Sequence, residues 1–178
     1  MGSGHRSSAH IERRGQYSVS LLASLEGTAF SEWVLISMLG FPTLIALHSV
    51  GMGVAVGLSL IVTLRLNQVI TGIDARLLPR LLTVAVSGFV LNLITGLALF
   101  VSRGTEYITS GIFLLKMLLV IVSAAILFWL RRHLIALVKM PDGEAVDGSA
   151  KRMSVVFTIT WFCAVITGRL IAYLSDLY

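Results

Sequence analysis

Charge is scarce in this chain. Lys, Arg, Asp and Glu make up 13% of it, against roughly a quarter in a soluble domain. With 56% hydrophobic residues and a mean hydropathy of +0.90, that scarcity points away from a soluble globular protein and towards a membrane protein. Cysteine is nearly absent: the single Cys163 allows no disulfide within one chain and no cysteine-based metal site. Lying within an apolar run, it reads as a small core residue. No Walker or Rossmann glycine pattern occurs, and no cluster of histidines and acids stands at catalytic spacing in the loops. Nucleotide-binding and soluble hydrolase functions therefore find no support. The net charge of +5 does not imply nucleic acid, because the basic residues sit at the ends of apolar segments. There they act as topology determinants and contacts to anionic headgroups.

What the chain does have is long apolar runs. Four of them, about Pro42–Leu64, Leu81–Val101, Ile112–Leu130 and Met153–Leu174, match the ~20 residues needed to cross a bilayer. The expected fold class is all-α, an integral membrane four-helix bundle with an N-terminal interfacial helix. Residues 1–17 are polar and aperiodic and predict a flexible or partner-ordered tail. Within 18–33, Leu22, Leu25, Ala29 and Trp33 recur at helical spacing and predict one amphipathic surface helix with Trp33 at headgroup level. Residues 34–178 then form the transmembrane domain. Pro42 suits a helix first turn, Pro79 marks the entry to the second span, and KMPDGEAVDGSAK, from Lys139 to Lys151, reads as an exposed linker.

Basic residues predict the orientation. The first loop carries Arg65, Arg76 and Arg80, and the third carries Arg131, Arg132, Lys139, Lys151 and Arg152, whereas the second has Arg103. The positive-inside rule then puts both termini and the second loop outside. His48, Lys116 and Arg169 thereby share one leaflet, each roughly 6 to 9 Å below the outer end of its helix. Ionisable groups at such depth are costly and mark a functional site by default. Gly51, Met52, Ala55 and Ser59 make a small-residue strip beside His48, while Gly53 and Gly57 form a GxxxG suited to packing on another helix. The second span offers Gly88, Asn92, Thr95 and Gly96 along one stripe. The third has Ser123 two turns from Lys116, and the fourth has Thr158, Phe162, Val165 and Tyr173 along the Arg169 face. Together these faces predict a pocket for a flat, anionic or redox-active guest. The plainer alternatives are that Lys116 and Arg169 snorkel to the headgroups and that His48 is a core histidine bonded to Thr95. His133, after two arginines, reads as interfacial.

The order of GFPTLIALHSVGMGVAVG, LRL, TGLALFVS, EYITSGIFLLKMLL and WFCAVITGRLIAYL resembles a bacterial family of four-helix inner-membrane proteins known as a domain of unknown function, over about Leu21 to Tyr173. More remotely the chain is similar to copper-resistance D-type membrane domains and to four-helix protoporphyrinogen oxidases. Those pair a first-helix histidine with a lysine early in the third helix and are thought to bind b-type haem. The resemblance implies the same roles for His48 and Lys116, in a bacterial inner membrane.

Three functions are open at this point. The first is a redox subunit in which His48 ligates the iron of a b-type haem, with Lys116, a methionine, or His5 or His10 of the tail as second ligand. Arg169 would pair with a propionate, Asn92 and Thr95 would line the site, and electrons would pass to or from the quinone pool. The second is a non-enzymatic accessory subunit of a larger membrane complex, or a homo-oligomer. The third is a small copper or solute carrier, suggested by His48 with Met52 one turn on. A redox or accessory subunit is expected over a free-standing enzyme.

Overall fold

The computed structural model describes residues 20–138 and 148–175, and every regular element among them is helical. Residues 20–26 form α1, followed by α2 (Ala29–Ile36), α3 (Gly40–Leu66), a 3₁₀ turn (Ala75–Leu77), α4 (Leu78–Ser102), α5 (Gly104–Ile108), α6 (Gly111–Val138) and α7 (Gly148–Ser175). Four stretches, in α3, in the 3₁₀ turn with α4, in α6 and in α7, are long and apolar enough to cross a bilayer. The fold is an all-α membrane four-helix bundle, as the composition predicts. The expected tail, with His5 and His10, and most of the linker after Val138 lie outside the described residues.

The helices outrun their apolar runs. α6 has 28 residues, roughly 42 Å at 1.5 Å per residue, whereas a hydrocarbon core is about 30 Å thick. Its last turns therefore carry Arg131, Arg132 and His133 past the apolar zone, with the His133 ring stacked on Trp129 at 5.1 Å. Gly148 to Lys151, expected in the linker, instead open α7. The fully buried Ala150 packs there, so burial extends the helix beyond the hydropathy signal. The surface segment expected as one helix is two, because Thr28 takes extended backbone and its hydroxyl accepts from the Ser31 N–H at 3.4 Å, capping α2. A capping threonine after Gly27 overrides the apolar spacing that runs through it.

α3 packs most extensively on α4 and α6 on α7, with α3–α7 and α4–α6 contacts closing the ring. The α3–α4 approach is close because both helices lack a side chain where they meet. A Cβ on Gly51 would stand 2.7 Å from the Asn92 amide nitrogen and 2.8 Å from the Gly88 oxygen. The GxxxG pair contributes nothing to this packing: a Cβ on Gly53 or Gly57 would meet nothing within 4 Å. Helical periodicity explains the difference, since Gly51, Ala55, Ser59 and Val62 share the inward face of α3. Cys163 is likewise on an outward face and exposed, contrary to the core position read from its apolar surroundings. The inward face of α7 belongs to Phe157, Trp161 and Ala164.

The end of the bundle that holds Arg65 is fastened by polar side chains. Thr63 Oγ1 lies 3.0 Å from the Ser154 oxygen and accepts from the Thr158 hydroxyl at 3.0 Å, and Asn67 Nδ2 donates to Ser154 Oγ at 3.3 Å. In hydrocarbon such groups must find partners within the protein, and here they join α3 to α7.

Candidate functional site

The opposite end of the bundle is open. There α3 and α6 begin and α4 and α7 end, and a cavity of about 280 Å³ lies between them. Its lining includes His48, Asn92, Lys116 and Arg169, four of the five site residues expected from sequence. The fifth, Thr95, stands behind His48 and is bonded to it. From the helix bounds, His48 lies roughly 12 Å along α3, Lys116 roughly 7 Å along α6 and Arg169 roughly 9 Å before the end of α7. They therefore share one level of the bundle. Ser123 and Thr158 do not line the cavity, and Phe162 is an exposed outward residue.

Asn92, Thr95 and Gly96 present one face of α4 to α3, which places the imidazole against the helix backbone. A Cβ on Gly96 would come within 3.0 Å of His48 Cε1, so the missing side chain makes the seat. His48 Nδ1 lies 3.1 Å from Thr95 Oγ1. That hydroxyl has one proton, and its own short contact is to the Leu91 carbonyl, at 2.7 Å. With its proton on the carbonyl, Thr95 can only accept, so the neutral imidazole carries its proton on Nδ1. Nε2 then keeps a free lone pair, the arrangement found where a histidine ligates a metal or accepts a proton.

Lys116 crosses from α6 to α7, where its Nζ lies 3.5 Å from the position a Gly168 Cβ would take. That is ordinary van der Waals contact, so the lysine lies directly against the α7 backbone. Arg169 follows on the rim and is exposed. No lining residue is acidic. Among the described residues the one ion pair is Arg103–Glu106, at 4.0 Å, so no described carboxylate neutralises Lys116 or Arg169. Two cations facing a cavity that no described carboxylate lines favour an anionic or negatively polarised occupant.

Two polar atoms of lining residues, Asn92 Oδ1 and Trp161 Nε1, are buried without a hydrogen-bond partner. Asn92 is 7% and Trp161 2% exposed. Leaving such a buried group unpaired costs about 1–3 kcal/mol. Trp161 is a functional candidate that sequence reasoning missed. It read as one apolar residue among many, and its orphaned N–H appears only once its edge-on neighbours Phe89 and Phe157, 6.2 and 6.3 Å away, are in place.

An aromatic wall was missed as well. Phe113 stacks on Phe100 at 5.3 Å and on Tyr107 at 5.4 Å, nearly parallel to both, and all three line the cavity. They come from α4, α5 and α6, so no single-helix periodicity reveals them. α5 is held by Glu26, whose carboxylate accepts from the Thr105 N–H at 2.7 Å and from its hydroxyl at 2.8 Å. Burial pushes the Tyr107 phenol above its ordinary ionisation range, with Glu106 adding to that effect and Arg103 opposing it. A second cleft at the Arg65 end, between Arg76, Arg80, Ile135 and Val138, contains no orphaned buried polar atom. Comparison with family models, curated proteins and solved structures finds no match for this chain.

Proposed function

We propose that the chain is an integral membrane subunit that serves electron transfer by holding a flat redox-active guest in this cavity. The observation that carries the reading is His48, its Nδ1–H turned to Thr95 and its Nε2 left open, beside two cations that no described carboxylate neutralises and a stacked aromatic wall. A bilayer interior penalises such groups unless they are used. With Arg65, Arg76, Arg80, Arg131, Arg132, Lys151 and Arg152 at the opposite end, the positive-inside rule supports a cavity on the outer side of a bacterial inner membrane.

A b-type haem is the cofactor that the family resemblance implies, and the donor set suits it. Nε2 of His48 is available to an iron ion, and Thr95 behind it supplies the outer-shell hydrogen bond that fixes ring orientation. Arg169 on the rim is available to a propionate. Lys116, once deprotonated, and Met52 are the other lining groups with a lone pair that an iron ion could take. Bound there, haem would supply one-electron transfer, its potential tuned by those ligands and by burial. The side chains do the rest: the aromatic wall takes a planar face, and the aliphatic lining from Leu99, Val120 and Ala164 excludes water.

The test is a reduced-minus-oxidised difference spectrum of the purified protein and of His48→Ala. The wild type is expected to show a redox-active chromophore that the variant has lost. A wild type with no redox-active absorbance overturns the proposal.

A further inference from the structure

We infer that the cleft at the Arg65 end of the bundle seats the headgroup phosphate of a net-negative phospholipid, held between Arg76 and Arg80. The inference is independent of the redox reading, because the cleft and the cavity lie at opposite ends and share no residue. The seam between α4 and α6 makes the cleft. These two helices touch less than α3 and α4 or α6 and α7 do, and at the start of α4 the inward positions are taken by the buried Leu78 and Leu82. Arg76, Leu77 and Arg80 are left to the seam, where with Ile135 and Val138 of α6 they surround a space of about 490 Å³.

Depth and surroundings fit a lipid. The apolar run of α4 begins at Leu81 and that of α6 ends at Leu130, so the cleft stands at headgroup level, just outside the hydrocarbon. Leu77 and Val138 are 42% and 45% exposed, which leaves its mouth open to the bilayer side. About one turn deeper than Arg80 a polar bridge crosses the seam: Arg131 Nε donates to Thr83 Oγ1 at 3.1 Å, while that hydroxyl donates to the Pro79 oxygen at 2.8 Å. Beyond the bridge the exposed Phe128 lies edge-on to Phe89 of α4 at 6.5 Å. The seam therefore continues as an apolar surface on which an acyl chain can lie.

Charge selects the headgroup. Arg76 and Arg80 stand about one turn apart, where like charges repel, and an anion between them replaces that repulsion with charge-assisted hydrogen bonds. No residue lining the cleft is acidic, and among the described residues no carboxylate pairs with either guanidinium. Asp74 is engaged elsewhere, its carboxylate accepting from the Arg76 backbone N–H at 2.9 Å. A zwitterionic headgroup brings a cation for which the cleft has no anion, so a net-negative lipid is preferred. A free phosphate would make no use of the apolar walls of Leu77, Ile135 and Val138. Arg132 and Arg152 share this end of the bundle but do not line the cleft, which sets Arg76 and Arg80 apart from general headgroup contacts.

The test is native mass spectrometry of the full chain, stripped of lipid in mild detergent and mixed with equal amounts of phosphatidylglycerol and phosphatidylcholine. The wild type is expected to retain phosphatidylglycerol in preference, and this comparison needs no variant. Each interfacial arginine is worth about fivefold in lipid affinity, so the double variant Arg76→Gln, Arg80→Gln is expected to weaken retention about thirtyfold. Both side chains are exposed, and its melting curve is expected to match the wild type. The double variant Arg132→Gln, Arg152→Gln removes the same charge from the same end outside the cleft and is expected to retain the lipid as the wild type does. Equal losses in the two double variants, or no preference in the wild type, overturn the inference. Displacement of the lipid by inorganic phosphate gives the site to the free ion and overturns the lipid assignment. Retention that appears only when Asp142, Glu144 and Asp147 are replaced by their amides gives the cleft to the linker after Val138 and overturns it too. The electron-transfer proposal stands or falls separately from all of these outcomes.

Discussion

Replacing Gly51 by alanine adds one methyl group at the tightest point of the α3–α4 contact. Built on the existing backbone, that carbon stands 2.7 Å from the Asn92 nitrogen, 2.8 Å from the Gly88 oxygen and 3.1 Å from Asn92 Cα. All three are backbone atoms of a packed helix, so no rotamer change relieves them and the helices must move apart. Overpacking of this kind costs about 1–3 kcal/mol, and backbone opponents put it in the upper half of that range. Gly53→Ala is the matched control, because its new methyl meets nothing within 4 Å. Both variants gain the same helix propensity, of order 1 kcal/mol, so their difference isolates the steric cost. Unfolding by SDS in mixed micelles, followed by ellipticity, is expected to find Gly51→Ala about 2–3 kcal/mol less stable than Gly53→Ala. That difference is roughly a 30- to 150-fold change in the folded-to-unfolded ratio. Equal stabilities, or a larger loss at Gly53, would refute the packing and restore the GxxxG face as the working contact.

Glu26→Gln keeps the shape of the α5 clamp but removes its charge. It is expected to cost about 1 kcal/mol of charge-assisted hydrogen bonding to Thr105, seen as faster amide exchange over residues 104–108 with the four long helices unchanged. Thr63→Val breaks the α3–α7 fastening at Ser154 and Thr158. Intramembrane hydrogen bonds average ~0.6 kcal/mol, so a loss of about 0.5–1.5 kcal/mol in the SDS assay is expected, and none would mean the fastening is dispensable. Tyr107 has its phenol pKa raised by burial, so its neutral form is favoured by the fold. The stability it contributes is full below the unfolded tyrosine value near 10 and is lost as pH rises through the higher folded value. Subtracting the alkaline absorbance titration of Tyr107→Phe from that of the wild type is expected to leave one phenol titrating later than free tyrosine.

The bundle was legible because hydropathy over twenty-residue windows reports bilayer burial directly, and His48, Lys116 and Arg169 stood out against that background. Their convergence on one cavity, with Asn92 beside them and Thr95 behind His48, follows from antiparallel helices that put equal depths side by side. What hydropathy hides is which face of an apolar helix turns inward. In lipid both faces are apolar, so Cys163 and Gly53 look as central as Trp161 and Gly51 until the helices are packed. The break at Thr28 and the extra turns of α6 and α7 escaped for a different reason. Capping hydrogen bonds and helix continuation past the hydrocarbon are not written in apolar periodicity. The stacked wall of Phe100, Tyr107 and Phe113 draws on three elements, and only tertiary structure assembles it.

The claim that His48 anchors a redox guest is tested most directly by extracting purified wild type and His48→Ala, prepared in the same mild detergent, and counting redox-active molecules released per chain. Near one per wild-type chain, falling at least tenfold in the variant while its melting curve is kept, is the expected result. The same small amount released from both proteins would contradict it.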